Sequence, residues 1–303
     1  MTSEDGTSSP SAREGHRMAK VTPTAKKLLL GKEIEHLREL AGKSQEEAAA
    51  LIEKGQSKIA ALEAGQASIT PGDLLLLLDG LGVTEQWHKD VLLELRRNNH
   101  QRGKWTGIRS HYSEQFRTMV DLEEHCDLIR TVECEVPPGL LQCEAFIRAL
   151  YKHAHAGTDL DARVQARLAR QAIYKKSAPP EVAFVISESS VRREYGPPEV
   201  MREQVDYMIE MSKLPNVRLQ LLPFKTRVQS ASIGNRFVLL RIPSPGVAGP
   251  LEFAYTENEG ELRYLDDKAA VAAHDRAWSR LTGAALSFEA TRKFLRQVAN
   301  EYN

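Results

Sequence analysis

The run Ser44-Gln45-Glu46-Glu47, followed by Gly55-Gln56-Ser57-Lys58-Ile59 and Leu62-Glu63-Ala64-Gly65, decides how the first part of this chain folds. Ser44 stands where a helix N-cap belongs, and Glu47, three residues on, completes a reciprocal capping box. Ala48, Leu51 and Ile52 supply the buried face of that short helix. Ile59 and Leu62 anchor the next one, which stops at Gly65. The second helix opens with an amide, a hydroxyl and a cation: Gln56, Ser57 and Lys58. These groups suit base edges in a major groove, the amide pairing with adenine and the cation with guanine or phosphate. Gln45, at the start of the preceding helix, is placed to donate to a phosphate where the helix dipole adds positive character. The pair reads as a helix-turn-helix, its first helix crossing the DNA backbone and its second lying in the groove. The bland alternative is a small helical bundle whose Gln and Lys side chains simply face water.

Outward from this pair the pattern stays helical. Leu30, Ile34, Leu37 and Ala41 repeat at helical spacing ahead of it, with Gly42 as the stop. Thr70-Pro71 supplies an N-cap and a first-turn proline for a fourth helix, and Trp87, Val91, Leu92 and Leu95 mark a fifth. Residues 23–98 are therefore expected to form a five-helix, all-α domain behind a polar, flexible tail over residues 1–22. Arg13, Arg17, Lys20, Lys26, Lys27 and Lys32 face only Glu14 before Glu33, which makes a candidate phosphate-contacting arm. The whole chain has 41 basic and 41 acidic residues. No global field draws it to nucleic acid, so affinity must rest on local placement.

Residues 99–109 are polar and aperiodic and read as a linker. From residue 110 to 303 the pattern becomes α+β with a mixed sheet. Helices are expected over Gln115–Thr131, Gln142–His153, Asp161–Lys175 and Glu199–Lys213. Strand-like runs lie at Val182–Ile186, Val217–Leu222, Arg236–Ile242, Leu251–Tyr255 and Leu262–Leu265. Two helices, near Lys268–Thr282 and Ser287–Tyr302, close the chain. Three cysteines without an export signal suit reduced thiols in a cytoplasm. The leucine run Leu74–Leu78 is far too short to span a membrane.

Several chemistries are excluded by spacing. His125, Cys126, Cys134, Cys143, His153 and His155 are zinc-type ligands, but no CxxC pair occurs and helical spacing scatters them, so no metal or cofactor is expected. The chain has no G-x-S-x-G elbow, H-E-x-x-H motif or glycine-rich phosphate loop, which argues against an enzyme. Glu188 reads as a cap or ion-pair partner, and Glu199 and Glu203 as a solvated helix face. Trp105, Tyr112, Phe116, Phe146 and Tyr151 are candidate walls of an effector pocket, or else ordinary core.

Residues 28–83 resemble the phage-repressor-type (XRE) helix-turn-helix, through Leu37-Arg38, the SQEE run at 44–47, Gln56-Ser57-Lys58-Ile59 and Leu62-Glu63-Ala64-Gly65. The resemblance implies a lambda-repressor-like domain in which Arg38 and Glu63 form a buried ion pair tying the first helix to the third. It also implies that Gln45, Gln56, Ser57 and Lys58 contact DNA. One position departs: the family's helix-ending glycine is Glu53 here, and the nearest glycine is Gly55. The turn is therefore expected to be shaped differently, with Lys54 directed at DNA. The remainder is similar to the companion domain of unknown function in actinobacterial regulators. That similarity rests on Val136-Pro-Pro-Gly139-Leu-Leu-Gln142, Arg167–Gln171, Glu188–Arg192, Glu199–Gln204 and Pro215-Asn-Val with Leu222-Pro-Phe224. Together these imply a cytoplasmic transcriptional regulator, homodimeric on a palindromic double-stranded operator and with no membrane association. Its second domain would dimerise, sense a small-molecule effector or bind a small partner protein encoded nearby. The alternative is a toxin–antitoxin-like component acting mainly through that partner.

Overall fold

The computed structural model describes residues 23–98, 112, 114–154, 159–226, 236–258 and 261–302. The tail over residues 1–22, with Arg13, Arg17 and Lys20, lies outside the described residues, as does the linker with Trp105.

Among the described residues the N-terminal part holds α1 (Ala25–Leu40), α2 (Gln45–Ala50), α3 (Gln56–Glu63), α4 (Pro71–Gly80) and α5 (Gln86–Arg97). Their starts follow their caps. The Ser44 hydroxyl accepts from the Glu47 amide at 3.1 Å, and the Glu47 carboxylate accepts from the Ser44 amide at 2.7 Å. Thr24 and Thr70 cap α1 and α4 without the reciprocal bond, each hydroxyl accepting from the amide three residues on, with Pro71 in the first turn of α4. Ile34, Ala48, Ile59, Leu74 and Leu92 fill the core without exposure. Gly31 sits in mid-helix because a Cβ there would lie 2.3 Å from the Glu63 carbonyl oxygen. Its bareness lets the end of α3 touch α1. In α5 Leu92 and Leu95 are buried as expected, but His88 and not Trp87 completes the buried stripe. His88, Leu92 and Leu95 point inward at i, i+4 and i+7, while Trp87 is 52% exposed.

The α2–α3 turn is not reshaped around Gly55. Glu53 itself takes the left-handed conformation, with φ 53°, and Gly55 is the extended N-cap of α3 with φ −81°. A left-handed glutamate costs about 1–2 kcal/mol. Glu53→Gly is expected to stabilise the chain by about 1 kcal/mol, read as a higher urea midpoint. A lowered midpoint would mean that Glu53 carries no strain.

In the second domain, α6 (Glu114–Glu123) ends earlier than expected, and Leu128–Glu133 is strand β1, not helix. Ile129, Thr131 and Val132 are β-branched and favour the pleated backbone. Tertiary pairing on both sides does the rest, because β1 is a central strand. The sheet runs β3-β2-β1-β4-β5-β6, with β2 (Glu181–Ser187), β3 (Val217–Leu222), β4 (Phe237–Ile242), β5 (Leu251–Asn258) and β6 (Glu261–Leu265). β1, β2 and β3 are mutually parallel, and β1, β4, β5 and β6 alternate in direction. The mixed sheet is as the sequence suggests.

The crossover from β1 to β2 carries α7 (Glu144–Ala154) and α8 (Leu160–Arg170), and that from β2 to β3 carries α9 (Ser189–Arg192) and α10 (Pro198–Met211). On one sheet face Val132, Val185, Leu239 and Ala254 pack against Trp278 and Leu281 of α11 (Lys268–Ala284). The other face, with Ile129, Phe184 and Leu240, joins a core shared with Met208 of α10 and Leu295 of α12 (Phe288–Glu301). Helices thus cover both faces.

A buried polar junction joins the two domains, whose apolar cores are continuous. Glu33 of α1 is fully buried. It accepts from the Ser244 hydroxyl at 2.7 Å and from the Val247 and Ala248 amides at 3.0 and 2.9 Å, all in the β4–β5 loop. His88 Nε2 lies 3.3 Å away on the other side. Burial pushes the Glu33 carboxyl up, but the bonds from Ser244, Ala248, Val247 and His88 outweigh it and hold it below the usual carboxylate range. Lys32 donates to the Pro250 carbonyl at 2.7 Å, so its ammonium serves this junction rather than a DNA-directed arm.

Candidate nucleic-acid interface

A hydrogen-bonded chain runs from α1 to the tip of α3. Arg38 donates from Nε to Glu63 at 2.6 Å and from Nη2 at 3.2 Å, with side chains 12% and 5% exposed. This is the ion pair the resemblance implies. Its Nη1 also donates to the Lys43 carbonyl at 3.0 Å. The Glu63 carboxylate accepts a further bond, from Gln45 Nε2 at 2.7 Å, and Gln45 Oε1 accepts from Gln56 Nε2 at 2.5 Å. Each amide is oriented by the next group, so Gln56 presents its remaining carbonyl and N–H outward in a fixed sense.

Gln56 and Ser57, the first two residues of α3, are exposed side by side. Lys54 projects from the exposed turn. Lys58 is placed differently: it is half-buried, and its ammonium donates to the Ser68 carbonyl at 2.6 Å, holding the α3–α4 loop against the helix. Two of its three donors stay available. The face carries Lys43 and Lys54 beside Glu46 and Glu53, so it is not strongly basic. Its directed groups are the two linked amides and the Ser57 hydroxyl.

The second domain contains a partly open cavity of about 530 Å³ between α6, α8 and the sheet. Tyr112, Phe116 and Tyr151 line it, as expected of pocket walls; Phe146 does not, being buried in a separate cluster with Cys143 and Met201. Four arginines, Arg163, Arg167, Arg170 and Arg236, reach it, with Glu123, Glu133 and Glu257. Arg170 is bidentate on Glu123 at 3.0 and 2.6 Å, and Arg236 pairs with Glu257. Burial raises the Glu133 carboxyl to about 7, against the lowering pull of Arg236 and Arg167. None of these arginines stands out from sequence spacing. Polar residues on an inward strand face, Thr131 and Glu133, were the only local signal.

The glutamines of the second domain stitch its turns together. Gln204 accepts from the Cys143 amide at 2.9 Å and donates to the Leu141 carbonyl at 2.6 Å, entirely buried. Gln142 donates to the Pro137 carbonyl at 2.7 Å. Glu188 pairs with Arg192 at 2.5 Å and accepts from the Phe224 amide at 2.8 Å, while Glu199 and Glu203 are exposed, as read. Burial pushes the Cys134 and Cys143 thiols up to about 11, which leaves them as poor nucleophiles. Among the described residues no group of three or more His, Cys, Asp or Glu could hold a metal ion. The His153 side chain and His155 lie outside them. No described helix is long and apolar enough to cross a membrane.

Residues 29–87 match a family described as a helix-turn-helix domain, and residues 116–297 match one described as a domain of unknown function (DUF5753). Neither curated proteins nor solved structures give a match to the chain.

Proposed function

The chain belongs to the DUF5753 family and carries a helix-turn-helix domain ahead of it, and from that premise we propose a sequence-specific transcriptional regulator of the phage-repressor (XRE) type. The observation that carries the reading is the linked Gln45–Gln56 pair at the tip of α3, anchored on Glu63 and Arg38. Gln56 is the adenine-reading group, Ser57 its neighbour on the base edge, and Gln45, Lys54 and Lys58 contact phosphates. The protein acts by binding and not by catalysis. Two copies present their α3 helices about 34 Å apart on a palindromic site. The second domain sets the position of α3 through the Glu33 junction with the β4–β5 loop.

Gln56→Ala is expected to weaken specific binding by about 1–3 kcal/mol and to relax the preference at one base pair. Lys58→Ala is expected to weaken binding to all sequences and flatten the salt dependence by about one phosphate contact. Fluorescence anisotropy on the duplex that footprinting identifies upstream of the protein's own coding sequence checks both. Unchanged affinity in the two variants would remove the contact assignment.

A further inference from the structure

The cavity of the second domain holds cationic groups that its own carboxylates do not satisfy. Of the arginines lining it, Arg170 is neutralised by Glu123 and Arg236 by Glu257. Among the described residues Arg167 makes one hydrogen bond, to the neutral Gln142 amide at 2.9 Å, and its Nε is buried without a hydrogen-bond partner. Among the described residues the Arg163 side chain has no hydrogen-bond or ion-pair partner. Arg163 and Arg167 are four residues apart on α8, so both guanidinium groups stand on the helix face that lines the cavity. A buried, unsatisfied guanidinium donor is costly in a folded protein and marks a place where a ligand belongs. The remaining carboxyl, Glu133, is pushed up to about 7 by burial and interacts electrostatically with Arg167; a single carboxyl cannot balance two guanidinium groups.

Aromatic rings flank the arginines. Tyr112, Phe116 and Tyr151 face the space, and the Arg167 guanidinium lies 5.2 Å from the Tyr151 ring centroid. A volume of about 530 Å³ lies within the range of small-molecule sites.

We propose that this cavity binds a small aryl-bearing anion, a carboxylate or a phosphate monoester, whose oxyanion bridges Arg163 and Arg167 while its ring packs on Tyr112, Phe116 and Tyr151. Both head groups present the paired acceptor oxygens that guanidinium forks recognise. As effector of the regulator proposed above the ligand rests on that reading; its binding to the cavity does not.

Phenyl phosphate, phenylacetate and inorganic phosphate, added to the full chain in calorimetric titration and thermal melting, test the site. At least one of the two aryl anions is expected to bind saturably and raise the melting temperature, and which one does so identifies the head group. Inorganic phosphate is expected to bind at least tenfold more weakly than the better aryl anion. Arg163→Gln is expected to lower aryl-anion affinity at least tenfold without changing the melting point of the free protein, since that side chain has no partner to lose. Arg167→Gln is expected to lower it too, and the exposed Arg202→Gln, on α10, to leave it unchanged. Failure of both aryl anions to bind, or binding indifferent to Arg163→Gln, overturns the proposal. Anisotropy with the ligand present then separates the two readings: binding that leaves DNA affinity unaltered keeps the cavity site and removes its role as effector.

Discussion

Replacing Glu63 with alanine is expected to lower the unfolding free energy by about 3–5 kcal/mol. The substitution strands the Arg38 guanidinium, whose side chain is only 12% exposed, and removes the carboxylate on which Gln45 rests. A charge left inside the fold without its counterion is what makes such losses large. The attraction between the partners is a smaller quantity. The double change Arg38→Met with Glu63→Leu is therefore expected to recover most of the stability, because apolar side chains of similar volume replace a buried pair at little net cost. It does not restore the acceptor for Gln45. DNA affinity should stay reduced in the double variant although its fold is sound, and that split separates a positioning role from a purely structural one. Urea midpoints for the native chain, Arg38→Met, Glu63→Leu and the double variant, set out as a double-mutant cycle, give the coupling. A loss below about 1 kcal/mol for Glu63→Ala would place the pair among ordinary surface ion pairs.

Glu33→Ala should release the helix-turn-helix domain from the sheet domain. The Val247 and Ala248 amides and the Ser244 hydroxyl then lose their shared acceptor, at a cost on the order of 3 kcal/mol. Gly246→Ala attacks the same junction from the other side, because a Cβ there would lie 2.4 Å from the Glu33 carboxylate. In both variants the Val247 and Ala248 amides are expected to exchange their hydrogens faster while the β1–β2 ladder stays protected. The junction also has a pH signature. A carboxyl held below its ordinary value in the folded state stabilises fully above about pH 4.3, and that stabilisation is lost as pH falls through the lowered value. Glu33→Ala should accordingly flatten the acid side of the stability profile. An unaltered acid limb, with unchanged amide exchange, would show that the junction does not hold the domains together.

The helix-turn-helix was readable because its signals are local. Ser44 and Glu47 fix one helix start, Thr70 and Pro71 another, and Ile59 and Leu62 mark a buried face at helical spacing. Misreadings came where a distant element decides. Leu128–Glu133 continues an apolar pattern from α6, and only its pairing with β2 and β4 makes it a strand. Glu53 takes a conformation its residue type disfavours because α2 and α3 are both clamped on either side of it, so a glycine two places on was a false lead. In α5 Leu92 and Leu95 were read correctly, but hydrophobicity alone favours Trp87 over its buried neighbour His88. The Glu33 junction joins residues more than two hundred positions apart. Nothing in the spacing around Glu33 marks it as an inter-domain acceptor. Of the cavity's arginines, Arg167 and Arg170 were likewise visible only in the RLARQ run at 167–171 by resemblance, and nothing marked Arg163. The inward orientation of Arg163 and Arg167 follows from the packing of α8 against α7, which turns that helix face toward the cavity.

The most direct test of the central claim is selection of bound duplexes from a random-sequence DNA library by the full chain and by Gln56→Ala in parallel. A regulator that reads DNA through the tip of α3 enriches one palindromic motif, with half-sites separated by about one helical turn, and the variant loses discrimination at one symmetric base pair of that motif. Enrichment of no motif by the full chain, or of the same motif with undiminished discrimination by Gln56→Ala, would contradict it.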